Sequence, residues 1–363
     1  MVPRRRRRAA DSSAEPRSSG RLPYQRSNGY GPLVAVNLQA LEQLRASLPD
    51  LIHLGTSSWT YPGWRGLVYS RDYPKTGAGP RMLEEYARFP LFSTVGIDST
   101  FYRPPTENTL HRYADALPPD FPCLSKVWDR ITVHRHSEPR NPAHAGEHNP
   151  DFLNAERFLA EVLEPYLEHF ADHLGPFIFE FQAMHPDDRM TPQKFADRLD
   201  GFFERLPSSI RYAVEVRNAE FLHPAYFAVL REHGVGHVFN SWTRMPPIGE
   251  QLALADSITA PFIVARALLR PGRAYQAAVD RFAPYDRVQD VNPELRGDLV
   301  RLIETALDAR IPAYLLVNNR AEGSAPHTIA AVAEMAVSRL AQRTTGDNAV
   351  APSPVPGTAS TDR

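Results

Sequence analysis

The sequence predicts an α/β protein: a single TIM-type (β/α)8 barrel with disordered N- and C-terminal tails. Three observations lead there. Short apolar β-type runs alternate with longer helical patterns along most of the 363 residues, which is the signature of a parallel sheet covered by helices. Eight such units in roughly 290 residues suit a closed barrel better than an open sheet. No Gly-x-Gly-x-x-Gly follows the first run and no Walker sequence occurs, so dinucleotide-binding and P-loop folds lose their main support.

The elements follow in order. Residues 1–30 are rich in Arg, Ser, Pro and Gly and residues 342–363 in Thr, Pro, Ala and Ser; both read as disordered tails around a domain spanning 31–341. The eight strands are expected at Leu51–Thr56, Ser93–Asp98, Pro122–Val127, Pro176–Phe181, Arg211–Val216, Gly236–Asn240, Phe262–Ala267 and Pro312–Val317. Helices are expected at Met82–Phe89, Thr106–Leu117, Asn154–His173, Thr191–Leu206, Pro224–His233, Glu294–Ala309 and His327–Gln342. Thr106, Asn154 and Thr191-Pro192 are cap signals at three of their starts.

Proline numbers 34 residues, well above its usual share of roughly 5%. That excludes coiled coils and helical bundles. Hydrophobic residues at 42% and aromatics at 10% still supply a core. Net charge is -1, but residues 1–28 carry +6 and the remainder -7. The folded part is therefore not a basic nucleic-acid glove. One cysteine, Cys123, excludes an intrachain disulfide framework and a cysteine-built zinc site. With no apolar run of 18 residues, a spanning helix is not expected. A cytoplasmic protein is the default expectation, and the composition leaves its oligomeric state open.

Charge enters the apolar strands near their C-terminal ends, where barrel enzymes build their sites. Asp98, Lys126, Glu180, Glu215, Arg217 and Arg266 can all point into the barrel mouth if side chains alternate with a period of two. Glu180 lies among phenylalanines in Phe177-Ile178-Phe179-Glu180-Phe181. Those neighbours are expected to raise its pKa toward neutrality and suit it to general acid–base work. The alternative is a carboxylate permanently paired with Lys126. Glu215 and Asp98 are the second carboxylates, and Lys126 would stabilise an oxyanion or phosphate. Arg217 and Arg266 suit an anionic substrate group. Asn318 and Asn319 either bind hydroxyls or cap the last turn. The loop holding Trp59, Tyr61, Trp64 and Tyr69 either stacks a sugar or base or plugs the barrel end. No cofactor is firmly implied. Asp98, Glu180 and Glu215 could take magnesium or manganese, but no metal ligands are assigned. His134, His136, His144 and His148 match no standard zinc spacing and read as solvated loop histidines.

Several segments resemble a known family. Gly55-Thr56-Ser57-Ser58-Trp59 through Gly63-Trp64, Ile97-Asp98-Ser99-Thr100-Phe101-Tyr102, Val214-Glu215-Val216-Arg217 and Val317-Asn318-Asn319 resemble the YecE-like family, domain of unknown function 72. Lys126 and Gly175-Pro176 fall where that family has its signature lysine and Gly-Pro. The resemblance covers roughly 51–340 and implies a TIM-type barrel, similar at fold level to endonuclease IV and xylose-isomerase-like enzymes. Tyr102, within the second segment, joins Trp59 as a substrate-binding candidate. The chain departs from the family pattern at four places. Its usual second-strand acid is Gly96, its asparagine is Asp98, its glutamine is Glu180, and Arg-Leu-His-Gly reads Arg266-Ala267-Leu268-Leu269. The acid–base set is thus expected on Asp98 and Glu180.

The function expected is an enzyme of hydrolase or isomerase type, acting on a small anionic molecule that contains a sugar or phosphate. Nucleic-acid binding, aided by the basic tail, is the rival class. A non-catalytic ligand-binding barrel is the third.

Overall fold

The computed structural model describes residues 37–74, 76–136 and 142–348. Eight parallel strands stand in the order β3-β2-β1-β8-β7-β6-β5-β4. They are β1 Ile52–Thr56, β2 Thr94–Ile97, β3 Cys123–Ser125, β4 Phe177–Phe181, β5 Tyr212–Val216, β6 Gly236–Ser241, β7 Ile263–Ala267 and β8 Ala313–Val317. All eight expected strands form, each within a residue or two of its expected bounds. β3 and β4 meet through isolated bridges at Cys123–Leu174 and Lys126–Ile178. The Val127 N–H donates to the Ile178 carbonyl at 2.9 Å, which brings the first and last strands of the row together as a TIM-type barrel.

The strands lack polar alternation because both faces are covered. Residues of β4, β5, β7 and β8 are buried throughout. Outward side chains such as Phe177, Phe179 and Phe181 pack against helices. Inward ones form a separate lumen core of Leu124, Ile178, Ala213, Val238, Val264, Tyr314 and Leu316.

The cap signals work as chemistry requires. Thr106 accepts from the Thr109 N–H, Asn154 from that of Arg157, and Thr191 from that of Lys194. The expected helix over 154–173 is broken, however. It runs as Ala155–Phe158, a π-helical stretch Leu159–Leu163, and Glu164–His169. Pro165 has no N–H to give the Glu161 carbonyl, so the regular ladder cannot continue there. Four helices not expected from sequence also occur, at Leu38–Ala46, Asp129–Thr132, Ile248–Leu252 and Tyr275–Phe282.

The expected tail at 1–30 lies outside the described residues. The last helix, Ala325–Asn348, continues into the segment expected as the second tail, and the rest of that segment lies outside too. Among the described residues, no helix is long and apolar enough to cross a membrane.

Candidate functional site

On five of the strands a polar residue stands two positions beyond an apolar lumen residue. Leu124 is followed by Lys126, Ile178 by Glu180, Ala213 by Glu215, Val238 by Asn240, and Val264 by Arg266. Period-two alternation therefore stacks a polar layer on the apolar one at the C-terminal ends of the strands. The six charged residues singled out from sequence meet in it.

Glu180 and Glu215 are register partners on β4 and β5. Like charges side by side repel, and two guanidinium groups bridge them. Arg217 Nη2 lies 2.7 Å from Glu180 Oε2 and 2.6 Å from Glu215 Oε1. Arg266 Nη1 lies 2.9 Å from Glu180 Oε2 and 2.5 Å from Glu215 Oε2, while its Nη2 reaches Asp98 Oδ2 at 2.6 Å. Lys126 Nζ adds a third cation on Glu180 Oε2, at 2.9 Å. Three cations thus balance three carboxylates.

The expectation of a raised Glu180 pKa is overturned. Burial does push it upward. Arg217, Lys126 and Arg266 together outweigh that, and the carboxyl is held well below its ordinary range. Glu180 is a permanently ionised anchor for cations, not a group poised near neutrality.

The same pairing bears on metal binding. Asp98, Glu180 and Glu215 already face guanidinium or ammonium groups, so a dication would have to displace two arginines. These carboxylates do not make a cation site.

Aromatic faces complete the cations' surroundings. Lys126 Nζ sits 4.0 Å from the centre of the Phe101 ring, and the Arg217 guanidinium 4.0 Å from that of Trp242. Trp242 was not singled out from sequence. Its position, one residue beyond β6, was the available signal. Tyr102 is 63% exposed and can meet a ligand.

The other sequence candidates have structural employment. Trp59 is 3% exposed, donates its indole N–H to the Gly79 carbonyl at 2.8 Å and meets Tyr113 edge-on. Trp64 and Tyr69 are buried with it, so this loop plugs the barrel end and Trp59 has no face left for a sugar or base. Asn319 Oδ1 accepts from Trp64 Nε1 and from the Ala325 N–H. Asn318 Oδ1 accepts from the Arg320 N–H. Both asparagines shape the turn after β8, as the capping alternative foresaw.

A family model described as protein of unknown function DUF72 matches residues 53–354. The chain belongs to the DUF72 family. Among solved structures, a DUF72 family protein of Enterococcus faecalis is 15% identical with a TM-score of 0.55. That match covers 79% of this chain and 95% of the other. A DUF72 family protein of Thermotoga maritima is 20% identical with a TM-score of 0.53, covering 80% of this chain and 99% of its own. These likenesses concern the fold. A search of curated proteins found no match.

This DUF72 chain also carries two groupings outside the mouth that the sequence spacing did not reveal. Ligand-type atoms of Glu107, His111 and His169 lie within 4.8 Å of one another, as do those of His134, His148 and Asp188. The first trio joins the surfaces of two helices. The second draws one residue from the loop after β4 toward two histidines of the loop after β3.

Proposed function

We propose that this protein is an enzyme whose barrel mouth binds a small anionic, hydroxyl-bearing molecule and transfers a proton through Asp98. The supporting observation is that the ion network balances its charges yet leaves donors and an acceptor unused. Arg217 Nη1 and Arg266 Nε are buried without a hydrogen-bond partner, and so is Asp98 Oδ1. Buried polar atoms are normally paired, so these describe the complement of a ligand carrying both acceptor and donor oxygens.

In this reading Lys126 and Arg217 hold the anionic group, with Trp242 and Tyr102 as walls. Glu180 keeps both cations aimed. Asp98 offers its second oxygen, which no hydrogen bond occupies, as the proton acceptor. Arg266 keeps that carboxylate oriented and would stabilise negative charge developing beside it. The chemistry is proton abstraction next to a carbonyl or activation of water, as in an isomerase or hydrolase. A purely structural network is the weaker account, since replacing buried ion pairs by apolar side chains of similar volume is often neutral or stabilising.

The test is a panel of sugar phosphates and hydroxy acids, read first by thermal shift and then by product formation. A ligand should stabilise the wild type, and its turnover should fall at least a hundredfold in Asp98→Asn with binding retained. Turnover unchanged in Asp98→Asn would overturn the assignment.

A further inference from the structure

The loops after β3 and β4 enclose a cavity of about 670 Å³, and none of its lining residues belongs to the ion network of the mouth. Its wall carries His134, His148, Arg189, Lys194 and Arg198, together with two carboxylates, Asp188 and Asp197. Both carboxylates are engaged. Asp188 Oδ1 lies 2.8 Å from Arg135 Nε and 2.7 Å from its Nη2, and Oδ2 accepts from the His185 N–H. Asp197 Oδ1 accepts from Gln193.

The spacing of His134, His148 and Asp188 invites a divalent metal, but the arginine decides against one. Arg135 Nη2 also lies 3.3 Å from His148 Nε2, so a guanidinium already stands between the acid and one histidine. A dication would have to displace it and then share the cavity with three further cations. What remains is positive. None of Arg189, Lys194 and Arg198 forms an ion pair among the described residues.

The donors have direction. Lys194 and Arg198 are four apart on the helix Pro192–Phe203 and share a face. The Arg198 guanidinium lies 5.8 Å from the centre of the Phe152 ring, on the cavity wall. The His134 side chain is 10% exposed and its Nδ1, 3.5 Å from Asp188 Oδ2, is buried without a hydrogen-bond partner. Arginine can only donate, so His148 accepts at Nε2 and keeps its proton on Nδ1.

We propose that this cavity binds a small phosphate-bearing anion, with Lys194 and Arg198 as charge partners and His134 and His148 as hydrogen-bond partners. A phosphate presents acceptor oxygens in several directions, matching donors that come from two loops and a helix. A carboxylate presents two oxygens in one plane and would leave part of the set unused. The volume leaves room for the organic part of an ester. This site is independent of the mouth and of the reaction proposed there.

The experiment is calorimetric titration of the full chain with inorganic phosphate and with glucose 6-phosphate at constant ionic strength. Ring signals of the histidines are followed by NMR in parallel. Saturable binding of at least one probe is expected, with the His134 and His148 signals moving as it fills. The double variant Lys194→Ala/Arg198→Ala should weaken binding at least tenfold. Arg231→Ala, which removes an exposed arginine paired with Asp256, should leave it unchanged. The ratio of the two affinities separates an ester from the free ion, and either supports the site. Absence of saturable binding, full affinity in the double variant, or binding that leaves His134 unmoved would overturn it.

Discussion

Lys126 Nζ is held between the Glu180 carboxylate, 2.9 Å from Oε2, and the face of Phe101, 4.0 Å from the ring centre. Arg217 and Arg266 converge on the same oxygen of Glu180. One buried carboxylate therefore ties together cations from β3, the end of β5, and β7.

Replacing Glu180 by glutamine should leave three cations facing two carboxylates in a nearly dry layer. Removing one partner of a buried pair costs about 3–5 kcal/mol, so Glu180→Gln should destabilise by that order in urea unfolding. A change below about 1 kcal/mol would mean that the network relaxes freely and that Glu180 is not its anchor.

Acid sensitivity should divide into two windows. His237 is buried, and burial lowers its pKa to about 4, with the hydrogen bond to Gln251 opposing. The unfolded chain takes up that proton from about pH 6.5, so stability should be full above that pH and fall as pH drops toward 4. Glu180, whose folded pKa is depressed, contributes stability that is full above its unfolded value of about 4.3 and is lost only at lower pH. Stability measured against pH should show a shallower upper slope in His237→Gln and a shallower lower slope in Glu180→Gln, the remainder coming from other histidines whose pKa burial lowers and from paired carboxylates. An unchanged profile in either variant would refute the corresponding assignment.

Trp64 Nε1 donates to Asn319 Oδ1 at 3.2 Å, joining the loop after β1 to the turn after β8. Trp64→Phe should cost roughly 1–3 kcal/mol, from the lost bond and the smaller ring, while Asn319 Oδ1 keeps its bond from the Ala325 N–H. Ligand affinity in the mouth should stay within about twofold, since a buried indole offers no stacking surface. A larger loss of affinity at unchanged stability would return this aromatic loop to the binding site.

Gly55 of β1 is paired with Thr94 of β2. A Cβ built there would stand 2.0 Å from the Thr94 carbonyl oxygen, and backbone cannot step aside as a flexible side chain can. Gly55→Ala should destabilise by about 3 kcal/mol or more, through overpacking and a parted strand pair. Soluble expression with wild-type thermal stability would contradict the β1–β2 geometry.

Much of the site was legible in the sequence because it follows from a period of two. Once Ile178, Ala213 and Val264 point into a lumen, Glu180, Glu215 and Arg266 must do the same two residues on. Their partners follow from neighbouring strands. The state of Glu180 was not legible. Its sequence neighbours are phenylalanines, but they point outward to the helices, while the cations that set its charge come from β3, the end of β5, and β7. For Trp59, Asn318 and Asn319 the sequence left two roles open for a similar reason. Residue type says that a group can stack or donate, not whether another part of the chain has already claimed it.

The sequence by itself determined the eight strands, their order of appearance, the three capped helix starts and which barrel end carries charge. Each of these rests on local periodicity, capping chemistry and turn composition, which act over a few residues. Only the tertiary structure decided that six charges cancel in one network, that Trp59 is core, and that His134 and His148 share a cavity with Lys194 and Arg198. Those are contacts between residues distant in the chain. Their energies depend on separations of a few ångströms and on exclusion of water, neither of which spacing along the sequence encodes.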